Sequence, residues 1–288
     1  MTTLTPTAGR TTGPASTADR PRAATYFNGF SNEVHKGLLS LVAGWREVLV
    51  QMITFPLFYL LLVLFMGRGQ LRDDLLLPGL LGMVPLTFIH EQVNRAFWSY
   101  LGDMQSGVLE QTYLTPLPSW TLVLGRQVAA IVSALPSALS VLLVGVITIE
   151  ARGGDMPWDV QTLVPLASIV IGTCGLALIL CGLTLVFKRI EIITQLSVAV
   201  WFIAGGTFVP LDNMPDWTAF ISRLVVPISP SIEAMRDILV GGHSLTGLQS
   251  GWGLWWVLLQ PVLIVAVGVF LFARLERVAK RRGTLGRY

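Results

Sequence analysis

Five apolar runs, Val48–Met66, Leu122–Ile149, Leu163–Phe187, Ile192–Val209 and Trp252–Ala273, constrain this chain more than any other feature. Each meets or approaches the roughly 20 residues that a helix needs to cross a bilayer core. A sixth run, Leu75–Tyr100, starts apolar and then carries His90, Glu91, Gln92, Asn94 and Arg95. Backbone groups in hydrocarbon must be satisfied within their own segment, so runs of this length read as helices. Charged residues make up 13% of the sequence, against about 25% in an ordinary soluble domain. So little polar surface could not cover a water-soluble fold. The sequence therefore predicts an all-α integral membrane protein with six transmembrane helices, the second of them polar near its end.

Basic residues near the span ends set the orientation. Arg20, Arg22, Lys36 and Arg46 precede the first span, Lys188 and Arg189 lie between the fourth and fifth, and Arg274, Arg277, Lys280, Arg281, Arg282 and Arg287 follow the last. With six spans all three groups fall on one side, which places both termini in the cytoplasm. The loop at Glu150–Asp159 opposes Arg152 with Glu150, Asp155 and Asp159, as an outside loop can. The basic tail, residues 274–288, lacks interleaved aromatics, so anionic membrane lipid is its expected neighbour rather than nucleic acid.

Residues 1–24, rich in Thr, Ala, Pro and Gly, read as a disordered cytoplasmic tail. Over 25–46, Phe27, Phe30, Val34, Leu38, Leu41 and Trp45 recur at three- and four-residue intervals, the apolar face of an interfacial amphipathic helix. The six-span domain occupies 47–273. Within it, the long segment 206–250 is broken by Pro210 and Pro215 and then shows helical patterns over Trp217–Val226 and Pro230–Val240. These read as two short re-entrant outer helices, the second started by Ser229-Pro230 and stopped by Gly241-Gly242. Cys174 and Cys181, seven apart in an apolar run, read as buried small hydrophobes.

Between the second and third spans lies S-G-V-L-E-Q-T-Y-L-T-P-L-P, Ser106–Pro118. Pro116 and Pro118 lack the N–H a helix needs, so a helix started near Gly107 stops by Leu114 or Thr115 after about two turns. The stretch resembles the coupling helix of the type-2 ABC exporter permeases, with Gly107, Val108, Leu109, Glu110, Gln111, Thr115 and Pro116 standing at the pattern's positions. Ala204–Trp217 (A-G-G-T-F-V-P-L-D-N-M-P-D-W) and Pro227–Arg236 (P-I-S-P-S-I-E-A-M-R) are similar to a second family signature, with Ser229 where Asn is usual.

The resemblance implies the permease subunit of an ATP-driven exporter, in a bacterial plasma membrane, moving a hydrophobic or amphiphilic substrate such as a drug, antibiotic or lipid-like molecule. It implies two permease copies, here expected as a homodimer, and two separate ATP-binding subunits. The chain has no G-x-x-x-x-G-K-[ST] phosphate loop. It is therefore expected to bind no cofactor and to be no enzyme by itself, with ATP and Mg on the partner. The coupling helix, about 104–115, would contact that partner through Gly107, Leu109, Glu110, Gln111, Tyr113, Thr115 and Pro116.

His90, Glu91, Asn94 and Arg95 form two i,i+4 pairs, Glu91 with Arg95 and His90 with Asn94. Two readings stand: a polar lining of the cytoplasmic entrance to a substrate path, or a buried pair tying the second span to its neighbours. The series is not a zinc site, because the second histidine of H-E-x-x-H is Asn94 here. Trp201, Phe202 and Phe208 are read either as an apolar substrate path or as core packing of the bundle. Ala130, Ala134 and Ala138, and Ser168 with Gly172, read as close helix-packing positions. The competing function classes are a membrane-embedded transferase using His90 and Glu91, and a non-transporting scaffold or sensor.

Overall fold

A computed structural model describes residues 22–108, 111, 119–187, 190–207, 211–248 and 252–282, with side chains from residue 27 onward except those of residues 202 and 212. Every regular element among them is helical: α1 (Arg22–Ala43), α2 (Trp45–Met66), α3 (Asp73–Gln105), α4 (Ser119–Ala151), α5 (Leu163–Thr184), α6 (Glu191–Ala204), α7 (Asp216–Val225), α8 (Ser229–Leu239) and α9 (Leu254–Arg282). Short 3-10 turns at Val160–Thr162, Leu211–Asn213 and Leu245–Gly247 join some of them. Most of the expected N-terminal tail, Lys188 and Arg189, and the last residues of the basic tail lie outside the described residues.

Five helices, α2, α3, α4, α5 (with the turn before it) and α9, are long and apolar enough to cross a membrane. The run Ile192–Val209 behaves differently. Its helix, α6, has 14 residues, roughly 21 Å at 1.5 Å per residue, against a hydrocarbon core of about 30 Å. It ends at Gly205 and Gly206, the latter at φ +74°. Hydropathy could not show this stop, because small residues continue the apolar run while changing the backbone.

α1 and α2 are separate helices, parted at Gly44 (φ −92°, ψ 20°). Phe30, Val34, Leu38 and Leu41 are half-buried, as the apolar-face reading requires, whereas Phe27 and Trp45 are exposed. The same side of α1 meets the start of α4: a Cβ on Gly37 would lie 2.3 Å from that of Ala129, and one on Gly125 would lie 2.9 Å from that of Glu33. Glycine is what lets these two helices approach.

α3 is the buried axis of the bundle. Its 33 residues extend about 50 Å, and Asp73 and Asp74 sit in its first turn, where the helix dipole favours negative charge. Leu81, Ile89, Val93 and Phe97 pack with Ile169, Leu176 and Leu180 of α5 and Ile228, Ile232 and Met235 at α8. Ala134 and Ala138 of α4 pack on Phe88. The small-residue reading thus describes packing within this bundle. Gly172 likewise faces Pro227 and Pro261.

α5 and α9 approach each other backbone to backbone. A Cβ on Gly175 would stand 2.7 Å from the backbone at Ile264 and Val265, and one on Gly268 would stand 2.5 Å from the Gly175 carbonyl oxygen. Without an apolar-to-water drive in lipid, such backbone contact is a main source of helix association. By contrast α2 buries little beyond Pro56, Tyr59 and Val63 and presents Val50, Ile53 and Leu57 outward, as a lipid-facing helix does. Cys174 and Cys181 are both free thiols, Cys181 fully buried.

α7 and α8 form a cap at one end. Arg223 of α7 holds Glu233 of α8 through Nε at 3.1 Å and a terminal nitrogen at 2.7 Å. The Gln260 amide of α9 donates to the carbonyls of Arg223, Leu224 and Val226 at 2.9–3.3 Å, satisfying the end of α7. α8 is mostly buried, while α7 shows Trp217, Phe220 and Ile221 at its surface. At the same end, Arg152 pairs with Asp73 at 2.5 Å.

Candidate functional site

The segment between α3 and α4 begins with a sharp change of direction. Ser106 ends α3, its hydroxyl donating to the Gly102 carbonyl at 2.8 Å, and Gly107 takes φ +74° with open space around its α-carbon. That left-handed backbone is the reason for a glycine here. Met104 and Gln105, within the expected coupling helix, complete α3 instead. Val108 and Gln111 are helical, and Gln111 is exposed. Leu109, Glu110, Tyr113, Thr115 and Pro116 lie outside the described residues.

Both ends of this segment are tied by charge. Arg126, on the second turn of α4, is 7% exposed; its Nε donates to Glu33 of α1 at 3.2 Å and a terminal nitrogen donates to Asp103 in the last turn of α3. Lys36 of α1 adds a 3.4 Å contact to Asp103. The guanidinium also lies over the Tyr100 ring at 5.8 Å. On the other side, the Ser119 hydroxyl that opens α4 donates to Glu276 of α9 at 2.9 Å, and Glu276 accepts from Lys280 at 2.7 Å. The two helices that flank the segment are therefore tied to α1 and to α9 as well.

Glu33, Asp103, Arg126, Ser119 and Glu276 were not singled out by the sequence. One signal was available: Arg126 is the lone charge in the run Leu122–Ile149, and a charge in such a run needs a partner.

The predicted i,i+4 pairs on α3 both form. Arg95 Nε donates to Glu91 at 2.5 Å, with Glu91 2% exposed, and the Asn94 amide reaches the His90 ring at 3.2 Å and its carbonyl at 2.9 Å. Contacts then leave the helix. Ser133 of α4 donates to the same Glu91 oxygen at 2.9 Å, Gln127 of α4 to the Gln92 carbonyl at 3.1 Å, and Gln195 of α6 to Asn94 at 3.2 Å. Phe55 of α2 packs edge-on against His90, 5.3 Å between centroids.

The cluster ties α3 to α2, α4 and α6, and it also lines a cavity of about 480 Å³ reaching from Glu47 and Gln51 to Arg126. Trp201 is half-buried against the core cluster rather than on this cavity. The side chain of Phe202, and Phe208 entirely, lie outside what is described. A second cavity, of about 440 Å³, is nearly all apolar and lies among α3, α4, α5 and α8 near Trp158.

The ABC-2 type transporter family matches residues 39–240, and the chain belongs to that family. Comparison with curated proteins gives no match. The chain is thus a multi-pass membrane protein of the transport class, and its family generally works with an ATP-binding subunit.

Proposed function

We infer that the chain is the permease subunit of an ATP-driven exporter, carrying a hydrophobic or amphiphilic substrate (drug, antibiotic or lipid-like) out across a bacterial plasma membrane. It works as a homodimer, with two copies of a separate ATP-binding subunit that carries the ATP and Mg. Both termini are cytoplasmic, α6 is the fifth of six spans despite its length, and α7 and α8 dip into the outer leaflet. The observation that carries this reading is the Arg126 bridge. A short segment after Gly107, outside the apolar helices, is fastened at its base to the two helices it joins and to α1. Such an arrangement suits a lever: force applied to the segment moves helices instead of bending a loop. Leu109, Glu110, Gln111, Tyr113, Thr115 and Pro116 are the residues proposed to meet the ATP-binding chain.

The test is co-purification in mild detergent with the ATP-binding protein encoded beside it, next to a variant carrying Leu109→Asp and Glu110→Arg. The native chain should bring that protein down stoichiometrically and the variant should not. A folded native chain that brings none down would overturn the exporter reading.

A further inference from the structure

The cavity beside the His90–Arg95 cluster is built from Ser40 of α1, Glu47 and Gln51 of α2, Arg95 and Trp98 of α3, and Arg126 of α4. Three of these residues keep a buried polar atom with no hydrogen-bond partner among the described residues: the Gln51 side-chain carbonyl oxygen, one terminal nitrogen of Arg95 and one of Arg126. Native proteins rarely leave buried donors unmatched, and guanidinium donors are the most costly to leave so. Two arginines on one cavity, each with a spare N–H, match the oxygens of a phosphate or carboxylate. The spare Gln51 oxygen calls for a hydroxyl or amine donor on the same molecule.

The counter-charges narrow the choice. Glu91 is engaged by Arg95, and Glu33 and Asp103 by Arg126 and Lys36, which leaves Glu47, exposed in the first turn of α2, facing the cavity with no ion pair among the described residues. One acidic group seated inward with a neutral or amine-bearing donor toward Glu47 fits; a second acid does not. From this level α2 runs on, on the face that carries Glu47 and Gln51, with Phe58, Leu61 and Phe65 exposed, an apolar track for a chain attached to that head.

We propose that this cavity binds the acidic head of an amphiphile from the inner leaflet, phosphate- or carboxylate-headed and bearing a hydroxyl or amine, with its apolar tail along α2. The leaflet rests on the orientation proposed above; binding by the chain itself does not depend on export. A lipid head and a free anion share this chemistry, and the test separates them.

Binding is measured on the purified chain in neutral micelles, by native mass spectrometry, with phosphatidylglycerol, diacylglycerol and inorganic phosphate as probes. Phosphatidylglycerol should bind roughly tenfold or more tightly than diacylglycerol, which has the hydroxyl and tails but no anion, the effect of one charge-assisted hydrogen bond set, and phosphate should not displace it at equal concentration. The paired variant Glu91→Gln with Arg95→Gln removes one of the two guanidiniums without stranding a buried charge and should reduce the preference several-fold. Ser40→Trp, at the exposed rim, should weaken phosphatidylglycerol while leaving the melting temperature unchanged. Equal binding of the two lipids overturns the proposal, as does a preference undiminished in both variants. Displacement by phosphate at equal concentration overturns the amphiphile and leaves a free-anion site. Since no ATP-binding chain is present, none of these results depends on the exporter reading.

Discussion

Replacing Arg126 by Gln removes the guanidinium that bridges α1 and α3. Glu33 and Asp103, 12% and 16% exposed, then lose their common cation. Removing one member of a buried pair costs about 3–5 kcal/mol, because the remaining charge stays out of water. Two features reduce that here. Residual exposure lets water reach both carboxylates, and Lys36, 53% exposed, keeps a screened attraction for Asp103 worth under about 1 kcal/mol. The expected loss is therefore ~2–3 kcal/mol, roughly a 30- to 150-fold shift of the folding equilibrium. The assay is reversible unfolding by SDS in mixed micelles, followed by circular dichroism. The triple variant Arg126→Gln, Glu33→Gln, Asp103→Asn should recover most of the loss, since no charge remains stranded. A single variant within about 0.5 kcal/mol of the native chain, which is the range of ordinary surface changes, would refute the reasoning. So would a triple variant no more stable than the single one.

Gly107→Ala should cost about 1–2 kcal/mol of local backbone strain at φ +74° and lower ATP turnover of the assembled complex, with Gly107→Asn milder; a turnover equal to native would count against it. Gly268→Ala should destabilise by about 1–3 kcal/mol through overpacking, since the new methyl meets the Gly175 carbonyl oxygen. Gly102→Ala, with nothing within 4 Å, should instead stabilise by up to about 1 kcal/mol; the same micelle titration reads both. Glu233→Ala should loosen the α7–α8 cap by ~2–3 kcal/mol, because Arg223, 19% exposed, loses its bidentate partner; faster proteolysis after α7 would report it.

Features carried by periodicity or length were legible in the sequence. The apolar runs became helices, the i,i+4 pairs on α3 formed, and the half-buried face of α1 follows Phe30, Val34, Leu38 and Leu41. Two kinds of feature escaped. The end of α6 depends on backbone conformation at Gly205–Gly206, while hydropathy averages side chains across it. The Arg126 bridge joins residues 93 and 23 positions apart, and pairing at that range leaves no local pattern. Arg126 itself was visible as a charge in an apolar run; its partners were not. Likewise the i,i+4 rule gave Arg95 for Glu91 but could not give Ser133, which comes from another helix.

The central claim is that the segment after Gly107 is where a separate ATP-binding chain takes hold. Gln111 is exposed and helical within it, whereas Trp158, 67% exposed, belongs to the opposite end. A photoreactive amino acid placed at each position in turn, in cells that co-express the neighbouring ATP-binding protein, tests this directly. The account predicts a cross-link from position 111 that changes in yield when ATP is bound, and none from position 158. An intact complex that cross-links from 158, or not at all from 111, would contradict it.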